Sequence, residues 1–225
     1  MEPGIPGDPL PPWAGPPLAE EFFARDPRDV ARELIGCLLL SDAGGRVTGG
    51  RIVETEAYLG ADDAGSHAAT HGITRRNATM YGPPGRLYVY FTYGNHHMLN
   101  LVCEPEGTAG AVLVRALEPL VGLDVMTARR NGRPPRELCN GPGKLAAALG
   151  LDLSDNGSRL GEGSVTVYAG PGDRGRIVAS GRVGLSSGHE ALFRYFVDGS
   201  PFVSRGRTGP ARRRAVAHDR ERSRE

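Results

Sequence analysis

The sequence predicts a strand-rich α/β (α+β) chain built mainly as one domain, and three observations carry that reading. Its 225 residues are enough for a proper core and fit one domain, or at most two. Its 33 glycines and 18 prolines call for many turns between short elements. Apolar residues alternate with a period of two over several segments and recur at helical spacing over only a few. With 39% apolar and 24% charged residues, the composition is that of a soluble globular protein.

The chain is organised around Arg51-Ile-Val-Glu-Thr-Glu-Ala-Tyr-Leu-Gly60. As a strand, it turns Ile52, Glu54, Glu56 and Tyr58 to one face and Val53, Thr55 and Ala57 to the other. Carboxylates are rarely buried unpaired, so the first face is either a solvated edge or the wall of a polar cleft.

Taken in order, Met1 to Pro17 is a Pro/Gly-rich leader expected to be disordered, although it contains Trp13. Asp26-Pro27-Arg28-Asp29 reads as a helix start, with Asp26 as N-cap and Pro27 in the first turn; Val30, Ala31, Leu34 and Ile35 continue the helix and Gly36 ends it. Residues 37–40 read as a buried strand, and 42–46 as the turn leading to the central one. Residues 61–85 form a long polar loop containing His67, His71, Arg75, Arg76 and Asn77, and loops of that length are usually functional or mobile. Two strands, 87–93 and 97–103, are joined at Gly94-Asn95 in a hairpin with Tyr93 at its tip. An apolar strand, 110–117, carries Arg115, and Glu118-Pro119 is expected to open a helix reaching Gly132. Residues 138–150 run from a loop into a short helix with Pro142 near its start and Lys144 in its first turn. Short strands are expected at 165–168, 176–179 and 181–185, then an amphipathic element at 191–197. The globular part is thus 18–205, followed by an arginine-rich tail, 206–225, expected to be disordered.

The net charge of +1 averages unlike parts. The first 22 residues hold four acids and no Lys or Arg, whereas Arg205–Glu225 holds eight arginines against three acids. The body is therefore basic, which permits a polyanionic partner. Cys37, Cys103 and Cys139 show no Cys-x-x-Cys spacing and read as reduced core thiols. No secretory leader and no apolar run of membrane-spanning length is present, so a soluble, cytoplasmic protein is expected.

Several patterns carry no function. Gly170-Pro-Gly-Asp-Arg-Gly175 has the glycines of a dinucleotide fingerprint but is followed by a strand where a helix is needed. Gly141-Pro-Gly-Lys144 lacks the spacing of a P-loop. His67/His71 and His96/His97 have no carboxylate partner at a metal-ligand spacing. What remains is a carboxylate beside a tyrosine, a histidine, an aromatic strand, a tyrosine at a hairpin tip, an arginine in an apolar strand and a lysine at a helix start. Aromatics interleaved with cations suit a base stacked between rings with its phosphates held by basic groups, and a carboxylate there suits hydrolysis of an N-glycosidic bond.

In order and spacing, residues 51–60, His67, Gly85–Gly94, Asn100, Val114–Pro119 and Leu138–Leu145 closely resemble the alkyladenine (3-methyladenine, methylpurine) DNA glycosylase family. The resemblance extends from about Leu18 to Arg205. It departs at Leu192-Phe-Arg-Tyr195, where the family usually has Pro-Trp-Arg-Phe. It implies a single compact domain with a curved antiparallel β-sheet, surrounding helices and a protruding hairpin. It also implies roles: Glu56 as the general base that activates water, Arg115 near that water and the backbone, and Tyr58, His67 and Tyr90 enclosing the flipped base. Asn100 would disfavour the amino group of guanine, Tyr93 would enter the duplex, and Lys144 would contact a phosphate.

No cofactor or metal is required, and the expected partner is damaged double-stranded DNA, bound by a monomer that is nucleoid-associated, bacterial and independent of membranes. A lyase step needs an amine, which only Lys144, the one lysine in the chain, or the N-terminal amine could provide; the first is expected at a phosphate contact and the second on the disordered leader. The expected enzyme is therefore monofunctional. The alternatives are a non-catalytic protein that binds damaged DNA and a hydrolase of free nucleosides.

Overall fold

One strand joins the parts of the sheet. The computed structural model describes residues 10–66, 68–69, 72–92, 94–185, 187–188, 190–205 and 214–215. In it β2 (Thr48–Tyr58) pairs along one edge with β5 (Ala111–Val121). Its other edge takes two shorter strands in succession, β1 (Leu38–Ser41) at its start and β8 (Arg194–Val197) near its end. Beyond β5 lie β4 (His96–Val102) and β3 (Leu87–Thr92); beyond β8 lie β7 (Ile177–Ser180) and β9 (Arg214–Ala215); β6 (Val165–Tyr168) flanks β1. The result is a curled antiparallel sheet in a single α+β domain.

The helices that lie wholly within the described residues are α1 (Glu20–Phe23), α2 (Pro27–Leu34), α3 (Leu123–Arg129), α4 (Pro135–Leu138) and α5 (Pro142–Leu149). The α2 start is as the sequence predicts, with Asp26 accepting from the Arg28 amide at 2.8 Å and Pro27 in the first turn. Its apolar side, Val30, Ala31 and Leu34, is fully buried and joins Leu145 and Leu149 of α5 on one face of the sheet. Each such aliphatic side chain adds about 1.5–3 kcal/mol by leaving water. Among the described residues no helix is long and apolar enough to cross a membrane, and no three metal-ligating side chains converge.

Two register irregularities change the reading of the central strand. Ile52 pairs with Leu117 and Glu54 with Ala116, so Val53 is an extra residue; Thr55 then pairs with Val114, which leaves Arg115 extra on the partner. Such bulges re-aim side chains. Strict alternation groups Ile52 with the glutamates, but Ile52 packs in the same apolar cluster as Ala57. Thr55 also faces that side and donates to the Ala31 carbonyl at 2.8 Å.

Other expectations are corrected. The strand expected to end at Leu117 runs on to Val121 and includes Pro119, which lies past the stretch that pairs with β4 and two residues beyond Leu117, whose amide already points away from β2 to the Cys139 carbonyl; the helix starts only after Gly122. Residues 181–185 are no regular strand, since the side chain of Arg182 and the amide of Val183 are bonded to the site instead. The leader is ordered further upstream than Leu18: the amide of Gly15 donates to Ala169, Pro17 bridges to Tyr168, and Trp13 packs near Leu38 and Leu40. An aromatic side chain has apolar area enough to hold such a short segment. Within the tail, Arg214–Ala215 pairs with the free edge of β7, an edge that otherwise offers unpaired backbone groups.

The close approach of three strands at the start of β2 needs glycine. A Cβ on Gly50 would collide with the Glu118 carbonyl, and one on Gly49 with the Leu39 carbonyl. Gly50→Ala is expected to cost about 2–3 kcal/mol of unfolding free energy in urea. A loss below about 0.5 kcal/mol, the range of ordinary surface changes, would show that the strands can part without penalty.

Candidate active site

The sheet register assembles the site as one row. Tyr88 of β3 lies opposite Asn100 of β4, Asn100 opposite Leu113 of β5, Leu113 opposite Glu56 of β2, and Glu56 opposite Arg194 of β8. Directly opposed residues share a face. This is the face away from the main apolar cluster; Tyr88, Asn100 and Leu113 of the row, with Tyr58, Tyr90, Met98, Ala111 and Arg115, floor a cavity of about 450 Å³, and Glu56 and Arg194 are buried outside its lining. Residues 64–66, 183–185, Ser187 and Pro142 at the start of α5 wall it.

Both glutamates of β2 are fully buried. Glu54 accepts from Arg115 Nε at 2.8 Å, Arg194 Nε at 2.7 Å, the Ser204 amide at 2.6 Å and Ser204 Oγ at 2.8 Å. Burial pushes its pKa up, but the two guanidinium charges and the Ser204 amide outweigh burial and hold it below the ordinary value. Three of these donors crowd Oε1 and the fourth, the Ser204 amide, reaches Oε2; of the three residues that supply them only Arg115 lines the cavity.

Glu56 has three donors. Tyr58 Oη and Arg115 Nη1 reach Oε2 at 2.7 and 3.2 Å, and the Val183 amide reaches Oε1 at 2.7 Å. One acceptor position on Oε1 therefore remains, on the carboxylate whose partners line the cavity. Burial, then the neighbouring Glu56 charge, raise the pKa of Tyr58 well above that of a free phenol, so it stays a proton donor. For Arg115 burial opposes the charge, yet Glu56 and Glu54 together raise its pKa and keep it cationic.

The ring of Tyr58 is fixed from behind. Arg182 lies 4.7 Å from its centroid and 5.3 Å from that of Phe193. Both Nη atoms of Arg182 bond Asp63 at 2.6 Å, and further bonds run to the carbonyls of Ala57 and Gly188. Asp63 in turn accepts from the amides of Leu59 and Gly65 at 3.0 Å, which folds the loop after β2 into the cavity wall. The next loop is braced by Asn77, which accepts from the Thr74 amide and donates to the Gly72 carbonyl at 2.8 Å.

On β3, the rings of Tyr88 and Tyr90 are 5.2 Å apart, and Arg76 lies 5.0 Å from the centroid of Tyr90. Asn100 donates through Nδ2 to the Tyr88 carbonyl at 2.9 Å and the Met98 carbonyl at 3.4 Å, so its amide is fixed where it lines the cavity. Lys144 does not line the cavity; its Nζ donates to Asn140 Oδ1 at 2.8 Å in the first turn of α5. Of the residues singled out from the sequence, Glu56, Arg115, Tyr58, Tyr90 and Asn100 are thus brought together, and His67 and Tyr93 lie outside the described residues.

Sequence reasoning missed Arg182, Arg194, Asp63 and Ser204, and gave Glu54 no task of its own. Their partners lie more than 100 residues away, so no local pattern marks them.

Comparison with known proteins follows the same lines. The sequence pattern of one family, methylpurine-DNA glycosylase, matches residues 21–201. A relative from Koribacter versatilis is 47% identical over 201 residues, covering 84% of this chain and 93% of its own length. Others are found in Chlorobaculum parvum, at 46% over 199 residues with 88% and 95% coverage, and in Burkholderia lata, at 45% over 215 residues with 92% and 99%. All three bear the name "Putative 3-methyladenine DNA glycosylase".

The depressed pKa of Glu54 fixes a sign. A carboxylate held below its unfolded value of 4.5 adds stability that is fully present above that pH and is lost as pH falls through the folded value. Unfolding free energy measured against pH should therefore drop on acidification below about 4.5. Glu54→Gln should flatten that slope and cost about 3–5 kcal/mol at neutral pH, because it leaves buried guanidinium charge uncompensated. An unchanged slope would remove Glu54 from the acid-sensitive groups.

Proposed function

Because the chain belongs to the methylpurine-DNA glycosylase family, whose members hydrolyse N-glycosyl bonds in DNA, we propose that it acts on alkylated and deaminated purines of the 3-methyladenine type in duplex DNA. It flips the damaged nucleotide into the cavity, and a water activated by Glu56 releases the base and leaves an abasic site for excision repair. The observation that carries this reading is Glu56 itself: a buried carboxylate, held by Tyr58, Arg115 and the Val183 amide, with one acceptor position left among groups that line an aromatic cavity.

In this reaction the free position on Oε1 accepts a proton of the water, the hydroxyl oxygen bonds C1′, and the C1′–N bond breaks with its electron pair passing to the purine. The carboxylate also stabilises positive charge developing on the sugar. A purine alkylated at N3 or N7 is already cationic and leaves as a neutral base. Tyr58 and Tyr90 offer it ring faces, and Asn100, tied to two carbonyls, presents a fixed group at the cavity floor. In the proposed complex His67 completes the enclosure, Tyr93 fills the vacated place in the duplex, and Lys144 meets a phosphate.

A lyase step would need an amine at C1′. Lys144 is the one lysine of the chain and lies outside the cavity lining, which supports a monofunctional enzyme. Duplex oligonucleotides carrying a single hypoxanthine or 3-methyladenine analogue should show breaks only after alkali. Breaks made by the purified protein alone would contradict that.

Glu56→Gln should lower the single-turnover rate of base release about 10²–10⁴-fold while leaving duplex binding largely intact. Equal rates for the two proteins would favour a non-catalytic binder of damaged DNA. Activity on free nucleosides that ignores salt and survives Tyr93→Ala and Lys144→Ala would favour a nucleoside hydrolase instead.

A further inference from the structure

Two rings of the cavity each carry a guanidinium, and the two cations are not equivalent. Arg182 stacks on Tyr58 at 4.7 Å and Arg76 on Tyr90 at 5.0 Å, and the cavity is lined by the two rings and by neither guanidinium. The charge of Arg182 is compensated by two 2.6 Å bonds to Asp63. Arg76 is exposed, its bond is to the neutral carbonyl of Phe91 at 3.4 Å, and among the described residues no carboxylate pairs with it.

The attraction of an aromatic face for a cation comes from the electron density of the ring. A fixed cation on the far face draws on that density and repels a second cation across the ring, whereas a neutral base feels little of either effect. N-alkylated purines reach the pocket as cations, and deaminated ones such as hypoxanthine are neutral. Resting on the function proposed above, we infer that Arg76 is a specificity-determining residue, which acts through Tyr90 to shift the pocket's preference from cationic purines towards neutral ones. Tyr58, backed by a neutralised pair, makes no such distinction. Because Arg76 is screened by solvent, its effect is a few-fold.

The test uses duplexes with 2′-fluoro nucleotides, whose glycosidic bonds resist cleavage during a titration. Each carries 7-methylguanine or hypoxanthine at one position, and an undamaged duplex is the reference. The wild type is compared with Arg76→Gln and with Arg76→Lys. Arg76→Gln should raise the affinity ratio of 7-methylguanine over hypoxanthine about two- to fivefold, and Arg76→Lys, which keeps the charge, should stay near the wild-type ratio. A loss equal for all three duplexes would mean that Arg76 only meets phosphate, and would overturn the inference, as would a ratio that does not move. Base release by the wild type from ordinary duplexes separates the two levels. Release with an unmoved ratio sinks this inference alone, and no release from either lesion sinks the reading it rests on.

Discussion

The structure depends on burying two carboxylates and two guanidinium groups in the middle of a sheet. Glu54, Glu56, Arg115 and Arg194 come from β2, β5 and β8, all are at most 5% exposed, and their formal charges cancel. Removing such ions from water costs several kcal/mol each, and only near-complete hydrogen bonding offsets that. The sequence meets this demand with a bulge. By making Val53 and Arg115 extra residues, it turns the guanidinium of an otherwise apolar strand onto the glutamate face. Ser204, from the segment after β8, closes the cluster with its amide and hydroxyl.

Arg115 bonds Glu54 through Nε and Glu56 through Nη1, so anything that shifts one carboxylate also shifts the other. The coupling extends outward. Tyr58 donates to Glu56 while its ring is held over Arg182, and Arg182 anchors Asp63 and hence the loop that walls the cavity. The aromatic wall, the carboxylate and the sheet core therefore form one connected set of contacts. A substitution at Asp63 or Ser204 reaches the site without touching a substrate.

What the sequence made legible was local. Asp26-Pro27 marked the start of α2, Gly94-Asn95 lies in the hairpin between β3 and β4, and the alternation of β2 placed Glu54, Glu56 and Tyr58 together. Alternation failed at Ile52, because a bulge is set by the partner strand and leaves no mark in its own sequence. Pro119 read as a helix opener because its tolerance in a strand depends on where β4 stops pairing with β5, which the local sequence does not mark. Arg182 and Arg194 drew no reading of their own for the same reason: their carboxylates lie 119 and 140 residues away. The family pattern brought the site residues together, but it did not say why two glutamates stand there.

That pairing follows from counting hydrogen bonds. Glu54 and Glu56 share a strand, a face, an arginine and full burial, so neither side-chain type nor depth tells them apart. Their donors do. Of the residues that bond Glu54 only Arg115 lines the cavity, and two of the four donors are guanidinium groups, so this carboxylate serves to neutralise Arg115 and Arg194. The three on Glu56 all come from residues that line the cavity, and they leave one position on Oε1. A lone carboxylate beside Arg115 could not do both jobs, since compensating the buried cations and accepting a proton in the proposed reaction compete for the same lone pairs. The second glutamate removes that competition, and environment alone assigns the roles.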